Sequence, residues 1–203
     1  MATTKTKAVS RLDRALPYIL IVAGFIGFAM AFLLMQDKIA IAKNPNYIPV
    51  CNINPIISCG KVVQTKQASA FGFPNVYIGL GAFPILFTIG FALLAEAKFK
   101  RWFWLGLQAG TIFGVCFVHW LFFEVVYRIH ALCPFCIVVW IVTITAFWYT
   151  LLYNLRNGNI KTLKRLTGLV AFMQRHHLDI LITWFLIITA LILHHFWYYF
   201  GPH

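Results

Sequence analysis

Residues 16–35 read LPYILIVAGFIGFAMAFLLM, a stretch without a single charged side chain. About 20 consecutive apolar residues are enough for a helix to cross the hydrocarbon core of a bilayer. Four more such runs follow, at residues 76–95, 102–123, 133–153 and 178–200. Because the runs are continuously apolar rather than alternating, they predict helices and not the strands of a barrel. The sequence therefore predicts an all-α, polytopic membrane protein with a four-helix transmembrane bundle plus a fifth transmembrane helix.

The composition of the 203-residue chain agrees with this fold class. Hydrophobic residues make up 61% and charged residues 11%, whereas a soluble domain carries about 25% charged residues. The net charge of +12 would suit nucleic acid, but the basic residues lie in short stretches between apolar runs, where they set membrane orientation. We therefore expect no nucleic-acid partner. The first run is too long for a cleaved signal peptide and is interpreted as a retained helix.

The distribution of lysine and arginine predicts the sidedness of the chain. Five of the 17 basic residues lie in the first and third connections, and the other twelve lie in the amino-terminal tail and in the second and fourth connections. The side richer in Lys and Arg is expected to be cytoplasmic. The predicted division is a cytoplasmic tail at 1–15, a four-helix catalytic bundle at 16–153 with a long extracytoplasmic loop at 36–75, a basic cytoplasmic connection at 154–177, and the fifth helix with a short outer tail at 178–203.

Four cysteines then fall on the predicted outer face, where disulfides persist. Cys51 and Cys59 lie in the long loop, where we expect a short helix around residues 57–67. Cys133 and Cys136 form a Cys-Pro-Phe-Cys motif at the start of the fourth span. A helix amino terminus stabilises a thiolate, and Pro suits the first helical position. The pattern favours a redox-active dithiol with a shuttle disulfide over the alternatives, which are a zinc site and purely structural disulfides.

Other polar residues near these cysteines are harder to interpret. Cys116 lies inside the third span and is interpreted as a small core residue. His119, Glu124 and His130 lie near the outer end of that span. A histidine there could deliver a proton, or it could be a packing group, and the sequence leaves both interpretations open. The basic connection at 154–177 is interpreted as a surface helix lying on anionic lipid.

The ordered motifs resemble those of the vitamin K epoxide reductase family in its bacterial form, without a fused thioredoxin-like domain. The resemblance rests on Cys51 and Cys59 separated by seven residues, on Asn75-x-x-x-Gly79 and on Cys133-x-x-Cys136, and it covers roughly residues 16–153. It implies a bundle around a quinone of the ubiquinone or menaquinone type. It also implies that Cys136 faces the quinone, that Cys133 exchanges with the loop, that Cys59 passes electrons to Cys133, and that Cys51 meets a thiol partner.

The resemblance also implies three quinone-binding residues. Asn75 matches an Asn that hydrogen-bonds a quinone oxygen. Trp140 stands where vertebrate members have a Tyr, and Thr65 stands where they have a Ser. The implied partner is a separate extracytoplasmic thioredoxin-fold protein, similar to DsbA, and no metal is expected.

The predicted function is that of a thiol oxidase and quinone reductase in the bacterial cytoplasmic membrane, supporting disulfide formation. One alternative is a DsbB-type thiol oxidase, in which the two cysteine pairs occur in the reverse order. Another is a membrane scaffold with structural disulfides. A transporter is disfavoured because no Asp, Glu, Lys or Arg lies in the middle of a span.

Overall fold

The computed structural model describes residues 11–161 and 164–197. Five helices in these ranges are long and apolar enough to cross a membrane. They are α1 (Arg11–Lys43), α3 (Val76–Leu94), α4 (Arg101–Phe123), α5 (Pro134–Arg156) and α7 (His177–His195), with the shorter α2 (Cys59–Val63) and α6 (Thr167–Arg175) between them. No strand occurs in the described residues. The predicted fold class, an all-α multi-pass membrane protein, is confirmed.

Parts of the predicted tails fall outside this description. Residues 1–10 of the amino-terminal tail, residues 162 and 163 of the basic connection and residues 198–203 lie outside the described residues. The described part of the basic connection includes α6, whose Leu169 and Phe172 side chains are exposed. A helix is therefore present where one was expected, and its contact with lipid stays a prediction.

Helix α1 is longer than the apolar run that predicted it. It has 33 residues, so at a rise of 1.5 Å per residue it is about 50 Å long, whereas a bilayer core is about 30 Å thick. The apolar run ends at Met35, but the helix continues for two more turns to Lys43. This extension carries Asp37 and Lys38 to the loop that holds the first cysteine pair.

The four bundle helices are arranged around a gap. Helix α1 packs against α3 and α5, and α4 packs against α5, whereas α3 and α4 hardly touch each other in the described structure. The contact between α1 and α3 is close because Gly24 and Gly90 leave room for the facing backbone. A Cβ atom on Gly24 would lie 2.6 Å from the Phe87 nitrogen, and one on Gly90 would lie 2.7 Å from the Pro17 oxygen. The bundle is therefore open between α3 and α4.

Helix α7 lies beside the bundle and has few contacts with it. Trp184 Nε1 donates a hydrogen bond to His119 Nε2 over 3.0 Å, and Trp148 Nε1 donates to the His177 oxygen over 3.0 Å. Most other side chains of α7 are exposed, including Leu186. Such a helix is stable only where lipid covers its apolar surface, which agrees with a fifth transmembrane helix.

Candidate active site

The first cysteine pair is a disulfide in the loop between α1 and α3. Cys51 and Cys59 are bonded to each other, with their Cα atoms 5.7 Å apart. Both side chains are buried, although the loop lies at the end of the bundle. Cys59 is also the first residue of α2, which Ser58 caps by accepting a hydrogen bond from the Lys61 N–H. The helix expected around residues 57–67 is therefore present as α2, followed by a separate turn at Lys66–Ser69.

Two asparagine side chains fold the segment between these cysteines. Asn54 Oδ1 accepts hydrogen bonds from the N–H groups of Ile56 and Ile57, at 2.9 and 2.7 Å. Asn52 Oδ1 accepts from the Gly60 N–H at 3.0 Å. The Asn54 contacts form a local turn, because the short asparagine amide reaches the backbone two or three residues away, whereas Asn52 joins the two ends of the segment. The loop therefore has a defined fold that does not depend on the disulfide alone.

A backbone bridge joins this loop to the segment before α5. The Ser58 N–H donates to the Leu132 oxygen over 2.8 Å, and the Leu132 N–H donates to the Ile56 oxygen over 2.6 Å. The residue after Ser58 is Cys59 and the residue after Leu132 is Cys133. Because these two chains run parallel here, the bridge brings the two cysteine pairs side by side.

The second cysteine pair lies at the amino terminus of α5. Cys133 is the residue that caps the helix, and its Sγ accepts a hydrogen bond from the Cys136 N–H over 3.3 Å. Pro134 occupies the first turn, as predicted. Cys133 Sγ lies 3.3 Å from Cys59 Sγ, and both are buried. Cys133 and Cys136 are free thiols, so the arrangement is an oxidised pair in contact with a reduced pair.

A cavity of about 520 Å³ extends from Cys136 along the gap between α3 and α4. Nearly all of its wall is apolar. Three of the predicted site residues line it, namely Cys136, Asn75 and Trp140. Gly106 and Gly110 also line it, and their Cβ positions face open space. The cavity is therefore long and apolar, with a thiol, an amide and an indole on its wall.

Besides lining the cavity, the Asn75 side chain hydrogen-bonds the backbone of the loop before α3. Its Nδ2 donates to the Gln67 oxygen over 2.7 Å and its Oδ1 accepts from the Ala70 N–H over 3.0 Å. One N–H and one lone pair of the amide are left for other partners. Thr65 is placed differently: its hydroxyl donates to the Val62 oxygen and accepts from the Ala68 N–H. Thr65 is not among the residues that line the cavity, and its role in quinone binding stays a prediction.

The structure gives each histidine near the site a local partner. His119 Nδ1 lies 2.7 Å from the Val115 oxygen and must donate to it, so Nε2 accepts from Trp184. Both ring nitrogens are thus used in joining α4 to α7. His130 Nδ1 lies 2.9 Å from His195 Nε2. Neither ring lines the cavity, which favours the packing interpretation for both.

Glu124 and Cys116 also lie away from the cavity. Glu124 is buried at the end of α4 and pairs with Arg128 over 3.4 Å. Cys116 is exposed on the surface of α4, so its interpretation as a core residue is wrong. The reason is that a transmembrane helix can direct small apolar side chains to lipid, and therefore mid-span position does not predict burial.

No motif in the sequence singles out Asp37. This carboxylate is buried, and its Oδ2 lies 3.8 Å from Cys51 Sγ. Tyr47, in the loop after α1, donates its hydroxyl to Asp37 Oδ1 over 3.1 Å, and this hydrogen bond raises the pKa of Tyr47 above its usual value. The signal in the sequence is a single acid just beyond an apolar run. It could not be connected to Cys51, because the two residues are 14 positions apart.

Comparisons with known proteins decide the family. A protein-family model described as the vitamin K epoxide reductase family matches residues 18–151. The chain belongs to the vitamin K epoxide reductase family. No curated protein matches the chain. Membership supports a membrane protein with a thiol–disulfide redox function, and family members generally use quinones. The matched residues contain the four bundle helices almost entirely and all four cysteines of the site.

Proposed function

We propose that the protein is a membrane thiol oxidase that reduces a quinone. Electrons from an extracytoplasmic thioredoxin-fold partner enter at Cys51 and Cys59, pass to Cys133 and Cys136, and leave to a quinone of the ubiquinone or menaquinone type. The net reaction oxidises a dithiol and supports disulfide formation in exported proteins. The observation that carries the proposal is the contact of 3.3 Å between Cys59 Sγ and Cys133 Sγ, with Cys136 on the wall of an apolar cavity.

The sulfur positions support a relay of thiol–disulfide exchanges. A partner thiolate bonds to Cys51 Sγ and breaks the Cys51–Cys59 bond, so that Cys59 leaves as a thiolate. Cys59 then bonds to Cys133 Sγ of an oxidised Cys133–Cys136 pair, and Cys136 leaves as a thiolate. In each step one disulfide forms and one breaks. Cys136 is then a thiolate next to the cavity. The partner's second thiol next attacks the partner's own sulfur in the mixed disulfide: the partner's disulfide forms, its bond to Cys51 breaks, and Cys51 takes up the proton of that thiol and is released as a thiol.

The cavity wall fits a quinone with an isoprenoid tail. Asn75 and Trp140 can donate hydrogen bonds to the carbonyl oxygens of a ring that lies beside Cys136. Gly106 and Gly110 leave an apolar channel for the tail along α4. Because α3 and α4 hardly touch, a lipid-soluble molecule can enter from the bilayer. A quinone bound there supplies the acceptor for two electrons and two protons.

Charge and exposure support the proposed sidedness and the proposed partner. Both cysteine pairs lie at one end of the bundle, whereas the amino-terminal tail and the second and fourth connections together carry twelve of the 17 Lys and Arg residues. We infer that the cysteines face outward from the bacterial cytoplasmic membrane, on the oxidising side. Ile48, Val50 and Ile53 surround Cys51 and are 73%, 90% and 71% exposed. Such an apolar surface suits docking of a DsbA-like protein.

The test is quinone reduction by the purified protein with a dithiol donor, comparing Cys136→Ala with Cys116→Ala. The first substitution removes the thiol at the cavity, and the second removes an exposed thiol of the same helix bundle. We expect turnover with Cys116→Ala and none with Cys136→Ala, measured as the loss of quinone absorbance. If the unaltered protein reduces neither ubiquinone nor menaquinone analogues, the enzyme proposal fails and the disulfide is structural.

A further inference from the structure

Asp37 is an unusual residue for its position. It lies on the outer extension of α1, and only 8% of its surface is exposed. Within the described residues it has no ion pair, because the neighbouring Lys38 is directed to the Val63 oxygen and the Ser69 hydroxyl. A buried carboxylate without a cation is costly unless it is hydrogen-bonded. The polar atoms found next to Asp37 are the Tyr47 hydroxyl and Cys51 Sγ.

The two carboxylate oxygens have different neighbours. Oδ1 accepts the hydrogen bond from Tyr47, which holds the carboxylate in one orientation. Oδ2 is directed at Cys51 Sγ, 3.8 Å away. While Cys51 is in a disulfide, this sulfur has no proton to donate. Once Cys51 is reduced, its thiol lies within hydrogen-bonding distance of a fixed acceptor.

We propose that Asp37 is the proton acceptor for the Cys51 thiol when the loop disulfide is re-formed. This inference rests on the proposed relay, in which Cys51 is released from the partner as a thiol while Cys59 is bonded to Cys133. Cys51 then attacks Cys59 Sγ. The Cys51–Cys59 bond forms, the Cys59–Cys133 bond breaks, and Cys133 leaves as a thiolate. Cys51 is oxidised and Cys133 is reduced, and the thiol proton goes to Asp37 Oδ2.

The proposal explains why a carboxylate is buried beside a sulfur that must become a nucleophile. The thiolate, not the thiol, is the attacking form, and a buried thiol is slow to lose its proton to water. A base in contact with it removes that limit, and general bases typically contribute about 10² to 10⁴ in rate. Tyr47 is a positioning residue here, since it contacts Asp37 and not the sulfur.

The test traps the disulfides of the full-length protein during turnover with a dithiol donor and a quinone. N-ethylmaleimide stops the reaction, and peptide mapping measures the fraction of chains with a Cys59–Cys133 disulfide and an alkylated Cys51. Asp37→Asn should accumulate this species and lower turnover about a hundredfold. Asp37→Glu keeps a carboxylate, so it should accumulate less of the trapped species than Asp37→Asn and should turn over faster. Asp13→Asn, at the opposite end of α1, is the matched control. It should neither accumulate the trapped species nor lower turnover.

The outcomes distinguish a proton-accepting Asp37 from an Asp37 that only holds the loop through its hydrogen bond with Tyr47. They also test the proposed function separately. Wild-type turnover without accumulation in Asp37→Asn overturns the proton-acceptor role. Equal effects of Tyr47→Phe and Asp37→Asn also overturn it, because the hydrogen bond would then matter and not the base. If the wild type reduces no quinone, the proposed function fails. The same trapping with oxidised glutathione as the terminal oxidant then decides the role of Asp37 alone.

Discussion

Cys59 Sγ and Cys133 Sγ lie 3.3 Å apart although 74 residues separate them in the chain. The contact depends on the parallel bridge between Ile57 and Leu132 and on the start of α2 and α5 at the two cysteines. In the proposed relay this is the point where electrons pass from the loop to the membrane bundle.

Removal of Cys51 and Cys59 should affect quinone reduction differently with two classes of electron donor. The double substitution Cys51→Ser and Cys59→Ser leaves Cys133 and Cys136 in place. We expect loss of quinone reduction with a thioredoxin-fold protein as donor, because its thiol can no longer enter the relay. A small dithiol that reaches Cys133 directly should still support turnover. Steady-state rates with both donors check this, and equal loss with both would contradict a shuttle role for the loop.

Asn75 should matter for both the loop and the cavity. Asn75→Ala removes two hydrogen bonds to the backbone of the preceding turn, each worth about 1 kcal/mol, and it removes an amide from the cavity wall. We expect a lower unfolding temperature and a higher KM for quinone. Asn157→Ala is the control, since Asn157 is exposed at the other end of the bundle. Unchanged KM in Asn75→Ala would argue against quinone binding by this residue.

Because the channel along α4 is open, a larger side chain placed in it should raise KM for the quinone. Gly110 lines the cavity and its Cβ position is unobstructed, so Gly110→Leu should fold and fill the channel. We expect KM to rise more for a quinone with a long isoprenoid tail than for one with a short tail. Gly81→Leu on α3 is the matched control, since that position is also unobstructed but does not line the cavity. Equal KM values for both tails in Gly110→Leu would place the tail elsewhere.

The packing of α1 on α3 predicts a stability change. In Gly24→Ala the new Cβ atom would lie 2.6 Å from the Phe87 nitrogen, and the backbones would have to separate. Overpacking of this kind costs about 1–3 kcal/mol, which should lower the thermal unfolding temperature in detergent. Gly81→Ala, with open space at its Cβ position, should leave it unchanged. If both variants unfold at the same temperature, α1 and α3 do not pack as described.

The fold was predictable because a membrane span needs only one signal, a long apolar run. All five runs became helices, and the Cys-Pro-Phe-Cys motif starts one of them as the position of Pro134 predicted. The extension of α1 beyond Met35 was not predictable in this way, because the three residues that follow Met35 are polar and only four apolar residues come after them. Their helix is supported by contacts with the loop, such as those of Lys38.

The candidate site was predictable to the extent that its chemistry depends on cysteine. The four cysteines and their order stand out in the sequence. The position of Asp37 beside Cys51, and of Thr65 away from the cavity wall, depends on how the outer loop folds. Asn52 and Asn54 determine that fold through hydrogen bonds to the backbone, and no periodic pattern records such contacts. The exposure of Cys116 was likewise not predictable, because a position in the middle of a span does not show whether a side chain faces the bundle or the lipid.

The contact between Cys59 and Cys133 is tested most directly in the variant Cys51→Ser with Cys136→Ser. This protein keeps only Cys59 and Cys133 at the site. After mild oxidation and alkylation, peptide mapping should find these two residues joined by a disulfide in most chains, and Cys116 alkylated. If Cys59 and Cys133 are both alkylated instead, the two pairs do not exchange electrons directly and the proposed relay is wrong.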